Sequence, residues 1–342
     1  MANDNENKSI RMRDVADHVG VSVATVSRAL RNPEQVSPAV RARIAAAIDT
    51  LGYLPDPAAR ALASTRSDLI AVILPSVSNN VFADVMDGIY AAAEGTRYSV
   101  QLGYSRYSPL SEENLTKLFL RQRPAGIVVT GIDQTDATKT LLGQANCPVV
   151  QIMETGPEPY DRMIGFSHYD AARAATAHLI AQGYRAPGFL GARMDPRTQR
   201  RLHGFRDELR AQGLEEGRRV HTTTRPSSVT LGSYLLGELL SVAPETDAVF
   251  CINDDLALGA MFEAQRRNLR VPESLGICGF NDMEMMGAAE PALTSVRTFR
   301  REMGEGAIQL ILDALAEKAP ASEPVLDLGF EVVARTSTQR GG

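Results

Sequence analysis

The segment GARMDPRTQRRLHGF places Arg193, Arg197 and Arg201 on one short stretch. A guanidinium fork matches a carboxylate or phosphate in bidentate geometry, so such a stretch suits an anionic ligand. Asn253-Asp254 and Asn281-Asp282 end two apolar runs, Ser76, Asn79 and Phe82 follow another, and Asp170 and Arg173 follow GFSH. The ends of apolar runs are where an open parallel sheet binds its ligands. For each of these residues, capping a loop or making a surface ion pair is the alternative. The chain has no G-x-S-x-G, no phosphate-loop motif and no G-x-G-x-x-G after a strand, so catalysis is not expected. Its five histidines show no ligand spacing with each other or with the three cysteines, so neither a metal nor another cofactor is expected.

The elements that must hold these groups alternate from Asp68 onward. Strand patterns cover LIAVILPS (69–76), YSVQLGY (98–104), AGIVVTG (125–131), CPVVQIME (147–154), APGFLGA (186–192), DAVFCIND (247–254) and LGICGFND (275–282). Helical patterns such as VFADVMDGIYAAAEG and AARAATAHLIAQG lie between most of them. Apolar strands alternating with amphipathic helices predict parallel sheets covered on both faces. The run is too long for one sheet of ordinary width, so two doubly wound lobes with a cleft between them are expected.

At 342 residues the chain exceeds one ordinary domain. No apolar run approaches the ~20 residues of a membrane helix, and Met1 to Ser9 lacks the apolar core of a secretory signal. The expectation is a cytoplasmic protein with no membrane partner, whose Cys147, Cys251 and Cys278 are buried, reduced thiols. Net charge is -5, but it is unevenly spread. Residues 8–66 hold nine Lys/Arg and five acids, whereas 67–342 hold 27 and 34. A basic head on an acidic body concentrates attraction for phosphate at one end.

That head predicts a small helical domain. RDVADHV carries Val15, Ala16 and Val19 on one face and is broken by Gly20-Val21. Ser22 can cap a second helix, VATVSRAL, whose inward stripe is Val26, Ala29 and Leu30. Ser37-Pro38 opens a third helix that runs through Leu51 and stops at Gly52. Two helices joined by a tight Gly-containing turn are a helix-turn-helix arrangement. Val23, Ala24, Thr25, Ser27 and Arg28 then face outward. Short side chains with one long guanidinium suit a DNA major groove, although a generic three-helix bundle with a polar face remains the alternative. Next, Tyr53-Leu54-Pro55-Asp56-Pro57 reads as stiff and extended. Ala58 to Ala63 favours helix but is too short to hold one alone in water.

DVADHVGVSVATVSRAL, followed by PAVRARIAAAIDTLGYLPDPAARALAS, resembles the headpiece and hinge of the LacI/GalR family of repressors. The resemblance implies a headpiece at 1–55, a hinge helix and linker at 56–67, and a periplasmic-binding-protein-like core at 68–340. Its lobes would be 68–166 with 293–324, and 167–292 with 325–340. It also implies DNA contacts from Arg11, Ser22, Val23, Ala24, Thr25, Ser27, Arg28 and Arg31. Val23, Ala24 and Arg28 would read bases, Thr25 and Ser27 would lie near phosphates, and Ala59 and Leu62 would come from the hinge. Leu62 would be a minor-groove wedge, with packing on the core as its alternative.

In the core, the family's ligand-clamping arginine falls on Arg201 and its hydroxyl-binding pair on Asn253-Asp254. The full effector set is then Ser76, Asn79, Phe82, Asp170, Arg193, Arg197, Arg201, Asn253 and Asn281. Asp170, Arg193 and Arg197 stay open between ligand contact and a structural role. Many sugar-binding members carry an acid where this chain has Asn281, so the cleft is more accepting of an anion. RNPEQVS, LGARMDPRT, VFCINDDLALGA and VLDLGFEV resemble the gluconate-utilisation repressors of the family. The implied protein is a homodimer on a palindromic operator, released by a small sugar or sugar acid such as gluconate. A chain that ends soon after the core without a heptad tail implies a dimer and not a tail-assembled tetramer. A sugar-transport receptor and an enzyme on the same architecture are the rival classes.

Overall fold

The computed structural model describes residues 10–31, 33–53, 66–317 and 323–340. The chain divides into two units, Met1–Ser67 and Asp68–Gly342.

In the first unit α1 (Met12–Val19), α2 (Val23–Arg31) and α3 (Pro38–Leu51) follow one another. Gly20 ends α1 with φ +69°, a left-handed conformation that glycine adopts at little cost. Ser22 Oγ accepts a hydrogen bond from the Thr25 amide at 3.1 Å and so caps α2. Val15, Ala16, Val19, Val26, Ala29, Ile44 and Ala47 form the core, closed by Val36 and Tyr53. An Arg43 guanidinium nitrogen donates to the Val19 carbonyl, which α1 leaves without a helical partner.

The second unit opens with β1 (Leu69–Leu74), α4 (Val81–Ala93), β2 (Ser99–Tyr104), α5 (Pro109–Arg121), β3 (Gly126–Thr130), α6 (Asp136–Gly143), β4 (Val149–Ile152) and β5 (Arg162–Gly165). The chain then enters a second lobe with α7 (His168–Ala181), β6 (Pro187–Gly191), α8 (Pro196–Ala211), β7 (Val220–Thr222) and α9 (Val229–Val242). That lobe continues with β8 (Ala248–Cys251), α10 (Asp254–Arg266), β9 (Gly276–Asn281), α11 (Glu284–Ala288) and β10 (Thr294–Thr298). The chain returns through α12 (Arg300–Leu315) and β11 (Val325–Asp327), and then crosses again to β12 (Phe330–Val333). The first sheet runs β11-β5-β4-β3-β1-β2 and is wholly parallel. The second runs β12-β10-β9-β8-β6-β7, with β12 antiparallel to β10.

Several expectations need correction. Lobe one was expected to resume at 293, but β10 pairs in parallel with β9 in the second sheet, so the return comes after Thr298. Lobe two was expected from 325, but β11 extends the first sheet beside β5. Both sheets are parallel as expected except for β12 at the edge of the second, and strands β5, β7, β10, β11 and β12 lie outside the apolar runs that marked the others. Cys251 and Cys278 are buried as expected, whereas Cys147 is only partly buried.

Glycines let the paired helices approach. A Cβ on Gly304 of α12 would sit 2.1 Å from the Val85 carbonyl oxygen of α4, and one on Gly259 of α10 would sit 2.0 Å from that of Val229 in α9. Both contacts are with backbone, so neither neighbour can swing aside.

Candidate functional site

Two surfaces carry the residues singled out by the sequence. On the first unit, the start of α2 presents Ser22, Val23, Ala24 and Arg28 as exposed side chains, with Thr25 and Ser27 half-buried. Val23 is 43% exposed although apolar, which leaves its methyl groups available to a partner. Thr25 Oγ1 lies 2.8 Å from Ser22 Oγ, so the capping turn also fixes the threonine. Arg11 is exposed just before α1, and its backbone N–H donates to Asp14 at 2.7 Å. Ala59, Leu62 and the side chain of Arg31 lie outside the described residues.

In the second unit a cavity of about 150 Å³ is lined by loops at the carboxyl ends of strands from both lobes. Ser76, Asn79, Phe82, Arg193, Arg197, Arg201, Asn253 and Asn281 all reach it. Asp170 does not, since it is exposed in the first turn of α7, where its amide donates to Ser167 Oγ at 3.1 Å. Its acidic charge near that helix N-terminus is favourable, which accounts for its position without a ligand. Arg173 likewise pairs with Glu208 at 2.9 Å. Asp254 is buried and accepts from Ser295 Oγ and the Met283 amide, both at 2.7 Å. Burial pushes its carboxyl up to about 7. Asp282 binds Arg297 at 2.9 Å and Arg335 at 2.6 Å. Arg173, Asp254 and Asp282 are thus engaged by protein partners.

Arg201, on α8, is 8% exposed. Its Nε donates to His168 Nδ1 at 3.2 Å, its Nη2 lies 3.1 Å from the same nitrogen, and its Nη1 donates to the Ile252 carbonyl. Its guanidinium carbon lies 3.8 Å from the centre of the Phe280 ring. Among the described residues no carboxylate lies within ion-pair distance of it. Burial lowers the group to about 10, with Asp195 acting in the opposite direction, so it stays charged at neutral pH.

The other residues meet local needs and still face the cavity. Asn253 Oδ1 caps α10 by accepting from the Leu256 amide at 3.1 Å, and its Nδ2 hydrogens find no partner among the described residues. Asn79 Nδ2 donates to the Tyr107 hydroxyl at 3.4 Å. Arg193 stacks over the Tyr107 ring, 3.8 Å from its centre, so a second-lobe side chain rests on a first-lobe one. Arg197 lies 3.6 Å from Asp195, the residue that caps α8. Burial raises the Asp195 carboxyl, but Arg197 and the Thr198 amide outweigh it and the net shift is downward. Tyr107, Met153, Arg193, Met194 and Asn281 all hold positive φ, between 51° and 107°. Non-glycine residues adopt such conformations at a cost, and they gather at ligand sites.

The sequence reading missed His168, Asp195, Tyr107, Ser227 and Asp255, which also line the cavity. Asp195-Pro196 is a helix-capping signal that could have marked Asp195 as fixed next to the arginines. Nothing local marked Tyr107.

A family model described as "Bacterial regulatory proteins, lacI family" matches residues 11–56, and one described as "Periplasmic binding protein-like domain" matches residues 176–338. The HTH-type transcriptional regulator GntR of Pseudomonas aeruginosa is 38% identical over 327 residues, covering 96% of this chain and 95% of that protein. The solved structure of a LacI-family transcriptional regulator from Silicibacter pomeroyi superposes with TM-score 0.90 at 34% identity, covering 97% and 100% of the two chains. The lac repressor dimer bound to operator and an anti-inducer gives TM-score 0.83 at 25% identity, covering 97% and 100%. The chain belongs to the lacI family of bacterial regulatory proteins, as a helix-turn-helix transcriptional repressor and not an enzyme.

Proposed function

We propose that this repressor binds a palindromic operator as a homodimer in the cytoplasm and is released from it by a sugar acid such as gluconate, held in the cleft of the core. The observation that carries the effector reading is Arg201, a buried guanidinium whose protein partners are an imidazole, a carbonyl and a ring face. A buried charge is costly unless it is paired, so an anionic ligand is the missing partner. Arg193 and Arg197 add positive charge to the same cavity, and Asn253 offers unused donors for hydroxyl groups. The gluconate-utilisation motifs in the sequence point to the same class.

Val23, Ala24 and Arg28 are the proposed base-reading residues, with Arg11, Ser22, Thr25, Ser27 and Arg31 positioning the backbone. Ala59 and Leu62 would add minor-groove contacts. The homodimer is supported by exposed apolar side chains on α4, β2 and α5, namely Tyr90, Leu102, Tyr104, Leu110 and Leu118. Apolar surface of that kind marks a protein interface, and the lac repressor structure of matching fold is a dimer. No helix among the described residues is long and apolar enough to cross a membrane.

Calorimetric titration of the full chain with gluconate, glucose and glucose 6-phosphate tests the effector. Gluconate is expected to bind at least about 10-fold more tightly than glucose, the worth of one charge-assisted hydrogen-bond pair. Binding of neutral sugar alone would overturn the reading.

A further inference from the structure

His168 opens α7 and is completely buried beside Arg201 at the wall of the cavity. Its ring has two contacts that fix where its proton sits. Arginine nitrogens only donate, so Nδ1, facing Nε and Nη2 of Arg201, must accept. A carbonyl only accepts, so Nε2, 2.9 Å from the Met153 carbonyl oxygen, must donate. Protonation of Nδ1 would set an N–H against the Arg201 donors. Burial acts the same way and, together with Arg201, holds the ring well below the usual histidine range. Glu154 Oε2 also faces the ring, 3.8 Å from Nε2, but it is engaged by Arg200 at 3.2 Å.

Building on the sugar-acid reading, we propose that His168 is a specificity-determining positioning residue: as a neutral acceptor it holds the Arg201 guanidinium against the cavity without cancelling its charge, and so sets the preference for anionic over neutral ligands. A carboxylate at this position would form a bidentate pair with Arg201 and satisfy it internally. An unaligned guanidinium would lose the fixed fork that a ligand carboxylate needs. The imidazole uses one lone pair on the guanidinium edge, and the Ile252 carbonyl takes another N–H. Five donors are available in all, so N–H groups remain on Nη1 and Nη2 for the ligand.

The test compares gluconate with glucitol, the same carbon chain with a hydroxymethyl group in place of the carboxylate. Full-length wild type, His168→Gln and His168→Glu are titrated with both. Glutamine can accept from Arg201 and donate to Met153, so His168→Gln is expected to preserve the preference for gluconate. His168→Glu is expected to weaken gluconate by about 30-fold or more while glucitol changes less than about 3-fold. Preference retained in His168→Glu, or lost equally in both variants, overturns the inference while the sugar-acid reading stands. A wild type that binds the two ligands equally overturns both. Nitrogen-15 spectra of wild-type His168 need no variant to fold. They are expected to show Nδ1 bare and Nε2 protonated at neutral pH, and the opposite tautomer or an imidazolium overturns the inference.

Discussion

Arg28 and Arg201 are proposed to do opposite jobs with the same functional group. Arg28 is exposed on α2, free to reach the edge of a guanine. Arg201 is enclosed and aligned by His168 and Ile252, and its proposed partner is one small anion. Their substitutions should therefore fail differently. Arg28→Ala is expected to weaken the preferred operator by about 1–3 kcal/mol and to relax selectivity at one base position. Competition binding against operators altered one position at a time reads this. Uniform weakening across all sequences, with a shallower salt dependence, would instead make Arg28 a phosphate contact. Residue types at strand ends made Arg193, Arg197, Arg201, Asn253 and Asn281 legible in the sequence. His168 was not legible, because its meaning depends on a partner in another helix and a carbonyl from another lobe. Asp170, left open between ligand contact and a structural role because it follows GFSH, is turned to solvent at the start of α7.

Glycines set how closely paired helices of the core approach. The α4 and α12 backbones approach at Gly88 and Gly304, where an added methyl would overlap carbonyl oxygens at 2.1 Å on each side. Gly304→Ala is expected to cost the folded state about 2 kcal/mol through forced separation of the helices, read as a lower denaturant midpoint. An unchanged midpoint would mean that α12 shifts freely. Strands with continuous apolar runs, such as β1, β3 and β8, were legible because both faces are buried. β10, TSVRT, was not. Its Thr294 and Ser295 are buried but satisfied by Arg335, Ser337, Thr338 and Asp254, residues about 40 positions away in sequence. A polar stretch is here an interior strand, flanked by β12 and β9. Which lobe β10 and β11 join is a matter of long-range pairing, and no local pattern encodes it.

On the scale of the whole core, the cavity is a seam between two lobes that other contacts already bridge. Arg200, one residue from Arg201, binds the first-lobe acids Asp133 at 2.5 Å and Glu154 at 3.2 Å. Burial raises Glu154 to about 7, with Arg200 opposing. Arg300 of α12 grips Asp84 of α4 at 2.6 Å and also donates to the Asn281 carbonyl at the cavity wall. Anything that draws Arg201 and Asn281 toward a ligand therefore acts on both lobes. Linkage then requires that a ligand preferring one lobe arrangement alter operator affinity by the same factor by which the operator alters its own.

The direct measurement is operator affinity of the full chain, on a duplex selected from random sequence, with and without saturating gluconate at one stated salt concentration. Gluconate is expected to raise the operator Kd by about 10- to 100-fold, and Arg201→Ala is expected to bind the operator normally while losing the response. An operator Kd that gluconate leaves unchanged, or that glucose shifts equally, would contradict the claim that a sugar acid in this cleft controls the repressor.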